Sequence, residues 1–441
     1  MTTTEATGTD VLASALDRWF ADHGSDLVAL RRDLHAHPEL SHDEHRTTGI
    51  VSGIMSANGY DLRPMSCGTG VFAERPRLDD GSDHDGSDHD RSDDGSGDEE
   101  SDHGGSHPLV AVRADLDALA MHDLKDVPYR SVVDGVSHAC GHDVHTTVAV
   151  GAARFLADHP HLATHRVRFL FQPAEERVPG GALDVLRDGG LDGVSTVLGL
   201  HCEPKLDVGR IGLRPGAITS AADMATITVR GPGGHTARPE LTVDTVEVAS
   251  RIVTEAPDRV RSSTPDGAVK MVFGAVHGGD AANVIPTSVQ LRCSIRTPSL
   301  DTWETMEAAV RTAVSDVAAG TGAEIDVDYV RGVPPTVNDP AVVGALRTAA
   351  TTVVGVDGIH DAEQSWGGDD FAWLTREVAG AYVRLGVRTT GGATLDLHAG
   401  HFDVDERAIE VGVRFLVTAL CAPLGAPTAG STDPTSRHVD R

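Results

Sequence analysis

Residues 109–117 read Leu-Val-Ala-Val-Arg-Ala-Asp-Leu-Asp, an apolar run that closes on charge. The run predicts a short buried strand over Leu109–Arg113, with acids just past its end. The same design recurs twice. Val167–Phe171 reads as a strand that runs into Gln172-Pro-Ala-Glu175-Glu176, and Val194–Leu200 as a strand that stops at His201. Ala/Val-rich Thr146–Leu156 and the stretch Gly181–Arg187 read as helices between them. Strands alternating with helices predict an α/β fold built on a mostly parallel sheet.

Further out the pattern changes. Residues 11–35 carry Leu12, Leu16, Trp19, Phe20, Leu27, Leu30 and Leu34 at helical spacing, one amphipathic helix or two. From about 217 the strands Ala225–Arg230, Ser288–Arg296 and Glu324–Tyr329 alternate with period two. Helices from about Val243 and over 301–318 separate them, which predicts an α+β insert with a half-exposed antiparallel sheet. The α/β pattern then resumes up to a C-terminal helix. Its apolar side is Ile409, Val413, Phe415 and Leu416, and Asp403-Val-Asp-Glu406 offers a capping box.

With 441 residues the chain has room for two domains, or for one domain with a large insertion. A formal net charge of −29 excludes non-specific binding to nucleic acid or anionic membranes. Lys125, Lys205 and Lys270 are the only lysines. An acidic, lysine-poor composition suits a salt-loving cytoplasm, where screening lets dense like charge coexist with a compact fold. A high-GC genome is the blander source of arginine over lysine. Residues 77–107 hold Asp, Ser, Gly, His and Glu, with GSDHD twice in tandem; they and the tail 422–441 are expected to be disordered. Five scattered cysteines without a CxxC pair argue against a disulfide framework. The N-terminus has no secretory pattern and no apolar run has membrane-spanning length, so a cytoplasmic protein is expected.

Ligands of open α/β sheets bind outside the carboxyl ends of the strands. Asp115, Cys140, His142, Glu175, Glu176 and His201 are therefore candidates for one crevice. Within Ser137-His-Ala-Cys-Gly-His-Asp-Val-His-Thr-Thr147, Cys140 and His142 are two apart, and in an extended loop they would point the same way. Gly141 would relax the backbone, and the following helix start would favour the thiolate. His138 and His145 fit this geometry less well and read as supporting or structural. Of the paired glutamates, one can ligate a metal while its neighbour takes a proton from water. His398, before the last helix, is placed to close the crevice. Two readings of other classes compete. A thiol-redox enzyme lacks a resolving cysteine near Cys140. A metal-buffering protein would use His84, His89, His103 and His107 of the acidic insert, but no spacing there enforces a geometry.

RRDLHAHPELSHDE (31–44), VRADLDAL (112–119), SHACGHDVHTT, FLFQPAEE (169–176), GLH (199–201), GGHTARP (233–239), NVIP (283–286), GGDDFAW (367–373) and LHAGHFDVDE (397–406) together resemble the M20 metallopeptidase superfamily. Within it they resemble the amidohydrolases of N-acyl amino acids, hippurate or auxin–amino acid conjugates. The resemblance implies a zinc-peptidase-like catalytic domain with a central, mostly parallel sheet, over 1–216 and 333–421. A smaller α+β lid or dimerisation domain, 217–332, would interrupt it. It implies two divalent ions (Mn, Zn, Co or Ni) held by Cys140, His142, Glu176, His201 and His398, with Cys140 bridging and Glu175 as general base. His235 would reach the scissile carbonyl, often that of a partner subunit, and Asn283 would help hold the substrate carboxylate. The substrate would be a small N-acyl or aroyl amino acid and the assembly a homodimer or homo-oligomer. Arg113 stands where related branches have a metal-binding His, which Arg cannot replace; Asp115 is then a supporting residue. Asp117 and Arg296 read as structural, and Asp369 stands where relatives often carry Glu. A dipeptidase is the neighbouring alternative; the Cys-x-His pair, in place of an Asp-centred pattern, argues against it.

Overall fold

A computed structural model describes residues 8–75, 108–265 and 267–424. The acidic insert 77–107 and nearly all of the tail 422–441 lie outside the described residues. The fold is α/β around an eight-stranded sheet. In spatial order its strands are Asp61–Pro64, Val71–Glu74, Arg166–Gln172, Leu109–Asp115, Val194–Asp207, Ala379–Arg388, Ile211–Leu213 and Ile359–Asp361. The four central strands, from Arg166–Gln172 to Ala379–Arg388, are mutually parallel. Antiparallel neighbours flank them, Val71–Glu74 on one side and Ile211–Leu213 on the other.

Leu109–Asp115 is buried along its whole length, as expected for a parallel strand covered on both faces. Period two divides its side chains. Val110, Val112 and Ala114 join the larger core, with Val148, Phe155, Val413 and Phe415 of the helices His142–Asp158 and Arg407–Leu420. Leu109 and Ala111 join a smaller core with Leu170, Phe371 and Tyr382 on the opposite face. Along that second face the chemistry turns from apolar to charged at Arg113 and Asp115. Register carries the change across the sheet: Asp115 lies opposite Gln172, Arg113 opposite Gly199, and His201 opposite Arg384.

A second sheet, Lys270–His277, Ser288–Thr297, Ala221–Arg230 and Glu324–Val333 in spatial order, is antiparallel throughout. Ala225, Ile227 and Val229 pack under the helices Thr245–Ser263 and Leu300–Ala318, while Thr226 and Thr228 are half-buried on the other face. Asp244 caps the first of these helices by accepting from the Val246 and Glu247 N–H groups. The chain enters and leaves this sheet along adjacent paths, Gly216–Ala217 pairing with Val337–Asn338.

A single helix, Gly8–Ala36, meets the expectation of one amphipathic helix or two. Three local points differ from the sequence reading. The strand Lys270–His277 carries no clear period-two signal because Gly274 sits at a bulge in its pairing. His201 lies inside a strand that continues to Asp207. The capping box at 403–406 does not form: Glu406 binds Arg32 at 2.6 and 2.8 Å, and Asp403 accepts from the Tyr129 hydroxyl at 3.0 Å. Asp405 instead accepts the Arg407 N–H.

Candidate metal centre

The site begins at Gly141. Its φ of 97° is left-handed, and a Cβ there would lie 2.7 Å from the Cys202 sulfur. Glycine therefore turns the chain sharply into a helix that starts at His142, earlier than the sequence suggested. Cys140 and His142 meet through this turn and not through an extended loop. One donor atom each from Cys140, His142 and Glu176 lie within 4.8 Å of one another. His201 Nε2 is 3.3 Å from Cys140 Sγ, and His398 Nε2 is 3.2 Å from Glu176 Oε1. Cys140, Glu175, Glu176, His201 and His398 line a common cavity of about 140 Å³.

Both buried histidines are oriented for ligation. His142 Nδ1–H donates to the Asp117 carbonyl at 2.9 Å, and His201 Nδ1–H to the Cys202 carbonyl at 2.7 Å. Each therefore leaves Nε2 as the ring atom available to a metal, that of His142 facing Glu175 and Glu176 at 3.7 and 3.9 Å and that of His201 facing Cys140. His142 Nε2 is buried without any hydrogen-bond partner, and Glu176 Oε1 is buried with no hydrogen bond, only the approach of His398 Nε2 at 3.2 Å. Buried polar atoms are rarely left so, and thiolate, imidazole and carboxylate are the donors that divalent transition metals take. The residues fit a metal.

His398 sits at φ 56°, and its N–H donates to the Ala139 carbonyl at 2.8 Å. This bond ties the last loop to the segment just before Cys140. Ala174, before the glutamate pair, is also left-handed at φ 55°. Glu175 lies among carboxylates, with one oxygen each of Glu175, Asp369 and Asp370 within 4.8 Å. Burial and the charges of Asp369 and Glu176 push its carboxyl well above the usual range. Burial and the same glutamates push the Cys140 thiol up as well. The expected preference of the helix start for thiolate is thus outweighed in the protein alone; a cation among these donors works in the opposite direction. Burial opposes protonation of His142, but Asp115, Asp117 and Glu176 prevail and raise it to about 10.

The other histidines fall away. His145 donates from Nδ1 to Asp115 at 2.7 Å and accepts the Cys202 N–H at Nε2, so no lone pair remains for a metal. His138 is buried, with its pKa lowered to about 3 by burial, and stays neutral outside the donor group. Asp115 is occupied on both oxygens, by His145 and by Arg113 at 2.5 Å. His235 lies in a two-stranded ribbon, facing Val284 in register, and Asn283 immediately precedes the partner strand Val284–Ile285. Both are exposed, and neither lines the cavity.

Asp117 is more than structural. Its carboxylate accepts the N–H groups of Glu175 and Glu176 at 3.1 and 3.0 Å and the Ser41 hydroxyl at 2.7 Å, while its carbonyl orients His142. It positions Glu175, Glu176 and His142 together, and the signal for it was an acid two residues past Asp115. Asp117→Ala should lower metal affinity about 10- to 100-fold. Chelator competition on the folded variant checks this; unchanged affinity would show that the glutamate loop holds its place without Asp117. Asp369 also gains a setting: it accepts the Tyr382 hydroxyl at 2.6 Å at the cavity wall.

The family model of peptidase family M20/M25/M40 matches residues 111–422. The chain belongs to this family. M20 membership makes it a metal-dependent amide-bond hydrolase, and the metal-fitting donor group lies within the matched region. A Rhodococcus jostii relative, provisionally named glutamate–cysteine ligase 2-3, is 42% identical over 89% of the chain. The chain spans about half of that protein, 46%. An N-acetylcysteine deacetylase of Bacillus subtilis is 33% identical over 88% of the chain and 94% of its own length. The crystal structure of B. subtilis YXEP, described as a dinuclear metal-binding M20 peptidase, superposes with a TM-score of 0.75 at 28% identity, covering 91% of this chain and 98% of that one. No helix among the described residues is long and apolar enough to cross a membrane.

Proposed function

We propose that the protein hydrolyses N-acyl or aroyl amino acids to a carboxylic acid and a free amino acid. The observation that carries this is the convergence of Cys140, His142, Glu176, His201 and His398 beside the carboxyl of Glu175. The five are the proposed ligands of two divalent ions, with Mn, Zn, Co and Ni all suited to the donors. When bound, the ions supply Lewis-acid polarisation and favour deprotonation of water. Glu175 receives the proton of the attacking water and delivers it to the departing amine nitrogen. Asp117 holds the backbone of Glu175 in place for this transfer. His235 is proposed to stabilise the developing oxyanion and Asn283 to hold the substrate carboxylate. Since both stand on or beside an exposed ribbon, a homodimer in which the ribbon of one subunit completes the other's cavity is part of the proposal. The chain's similarity to an N-acetylcysteine deacetylase supports an N-acyl amino acid over a dipeptide.

A hydrolysis screen tests the reading. N-acetyl, N-benzoyl and indole-acetyl amino acids are compared with dipeptides, with metal replenished and at high salt to suit the acidic composition. Turnover of the N-acyl compounds is expected. Turnover of dipeptides alone would replace this reading with the dipeptidase one.

A further inference from the structure

The sequence marks Arg384 only as a charge within the apolar run Ala381-Tyr-Val-Arg-Leu-Gly-Val387. In the fold it stands beside His201 in register, on the face that carries Arg113, Asp115 and His201. It lines the cavity with Cys140, Glu175, Glu176 and His398, and is only 7% exposed. Two other deeply buried arginines are neutralised. Arg31 pairs with Asp143 at 2.8 Å, and Arg113 with Asp115 and Asp370 at 2.5 and 2.6 Å. The Arg384 side chain makes no ion pair or hydrogen bond among the described residues; its guanidinium carbon lies 5.5 Å from the Tyr382 ring centroid.

None of the cavity's acids, Glu175, Glu176 or Asp369, forms an ion pair with Arg384. Asp369 accepts from Tyr382, and Glu176 faces His398 and His142. A buried guanidinium without an anion is costly, and its planar fork matches a carboxylate with two parallel N–H donors. We infer that Arg384 is a substrate-carboxylate anchor built into the wall of the catalytic cavity. This inference rests on the amidohydrolase reading and gives that site a second specificity element besides Asn283, which lies outside the cavity. The carboxylate has two possible sources: the α-carboxylate of the amino acid, or the far end of a dicarboxylic acyl group.

Three substrates separate them: an N-acetyl amino acid, its neutral amide, and the N-succinyl derivative of that amide. Wild-type enzyme is expected to prefer one of the two carboxylate-bearing compounds over the neutral one in kcat/KM. Preference for the first assigns the α-carboxylate, and preference for the third assigns the acyl chain. In Arg384→Met the preference should collapse about 100-fold, mainly through KM. Arg384→Lys, which keeps charge but loses the fork, should retain part of it. Equal wild-type rates on all three compounds would overturn the inference without any variant, as would an unchanged preference in Arg384→Met. Failure of the wild type to hydrolyse any acyl compound would instead overturn the amidohydrolase reading itself.

Discussion

Glu175→Gln should bind metal as the wild type does and lose about 10³-fold in kcat. Glutamine keeps the shape of the side chain but cannot receive the proton of the attacking water. The substitution is also informative about folding. Glu175 is packed among Asp369, Asp370 and Glu176, and burial and these like charges push its carboxyl well above the usual range. An amide removes that repulsion, so the thermal midpoint of the variant should not fall. Lost turnover with intact metal content and an undiminished midpoint isolates the proton transfer. Activity near the wild-type level would remove Glu175 as the base.

Cys140→Ala should lower metal affinity by at least about 100-fold, the upper end of what loss of an indirect partner costs. Its sulfur is 3.3 Å from His201 Nε2 and within 4.8 Å of the His142 and Glu176 donors, so it stands between both parts of the proposed ligand group. Chelator competition and metal analysis of the purified variant provide the measurement. Activity should fall with occupancy and recover in part at high metal concentration. Unchanged stoichiometry and affinity would take Cys140 out of the ligand set.

Much of this was legible in the chain. Leu109–Val112 and Val167–Phe171 announce buried strands because unbroken apolar runs are affordable only where both faces of a sheet are covered. The proposed ligands were legible as residue types at strand ends and before a helix. The start of that helix was not, because His142-Asp-Val-His145 is polar and carries no apolar period, although all four residues are buried. The burial is sustained by partners far away in sequence, such as Arg31 and His35 on Asp143. Asp117 escaped for a related reason. Its role is to accept backbone N–H groups from a loop nearly sixty residues on, and side-chain spacing does not encode such contacts. Arg384 offered a signal that went unread, a guanidinium in an otherwise apolar strand. Knowing whether it was paired required the register with His201.

The most direct test is a Co²⁺ titration of metal-stripped wild-type protein, following thiolate-to-cobalt absorption and hydrolysis of an N-acyl amino acid in the same samples. The two signals should rise together and saturate at two equivalents per chain. Hydrolysis indifferent to cobalt, or full activity without thiolate absorption, would contradict a Cys140-centred metal hydrolase.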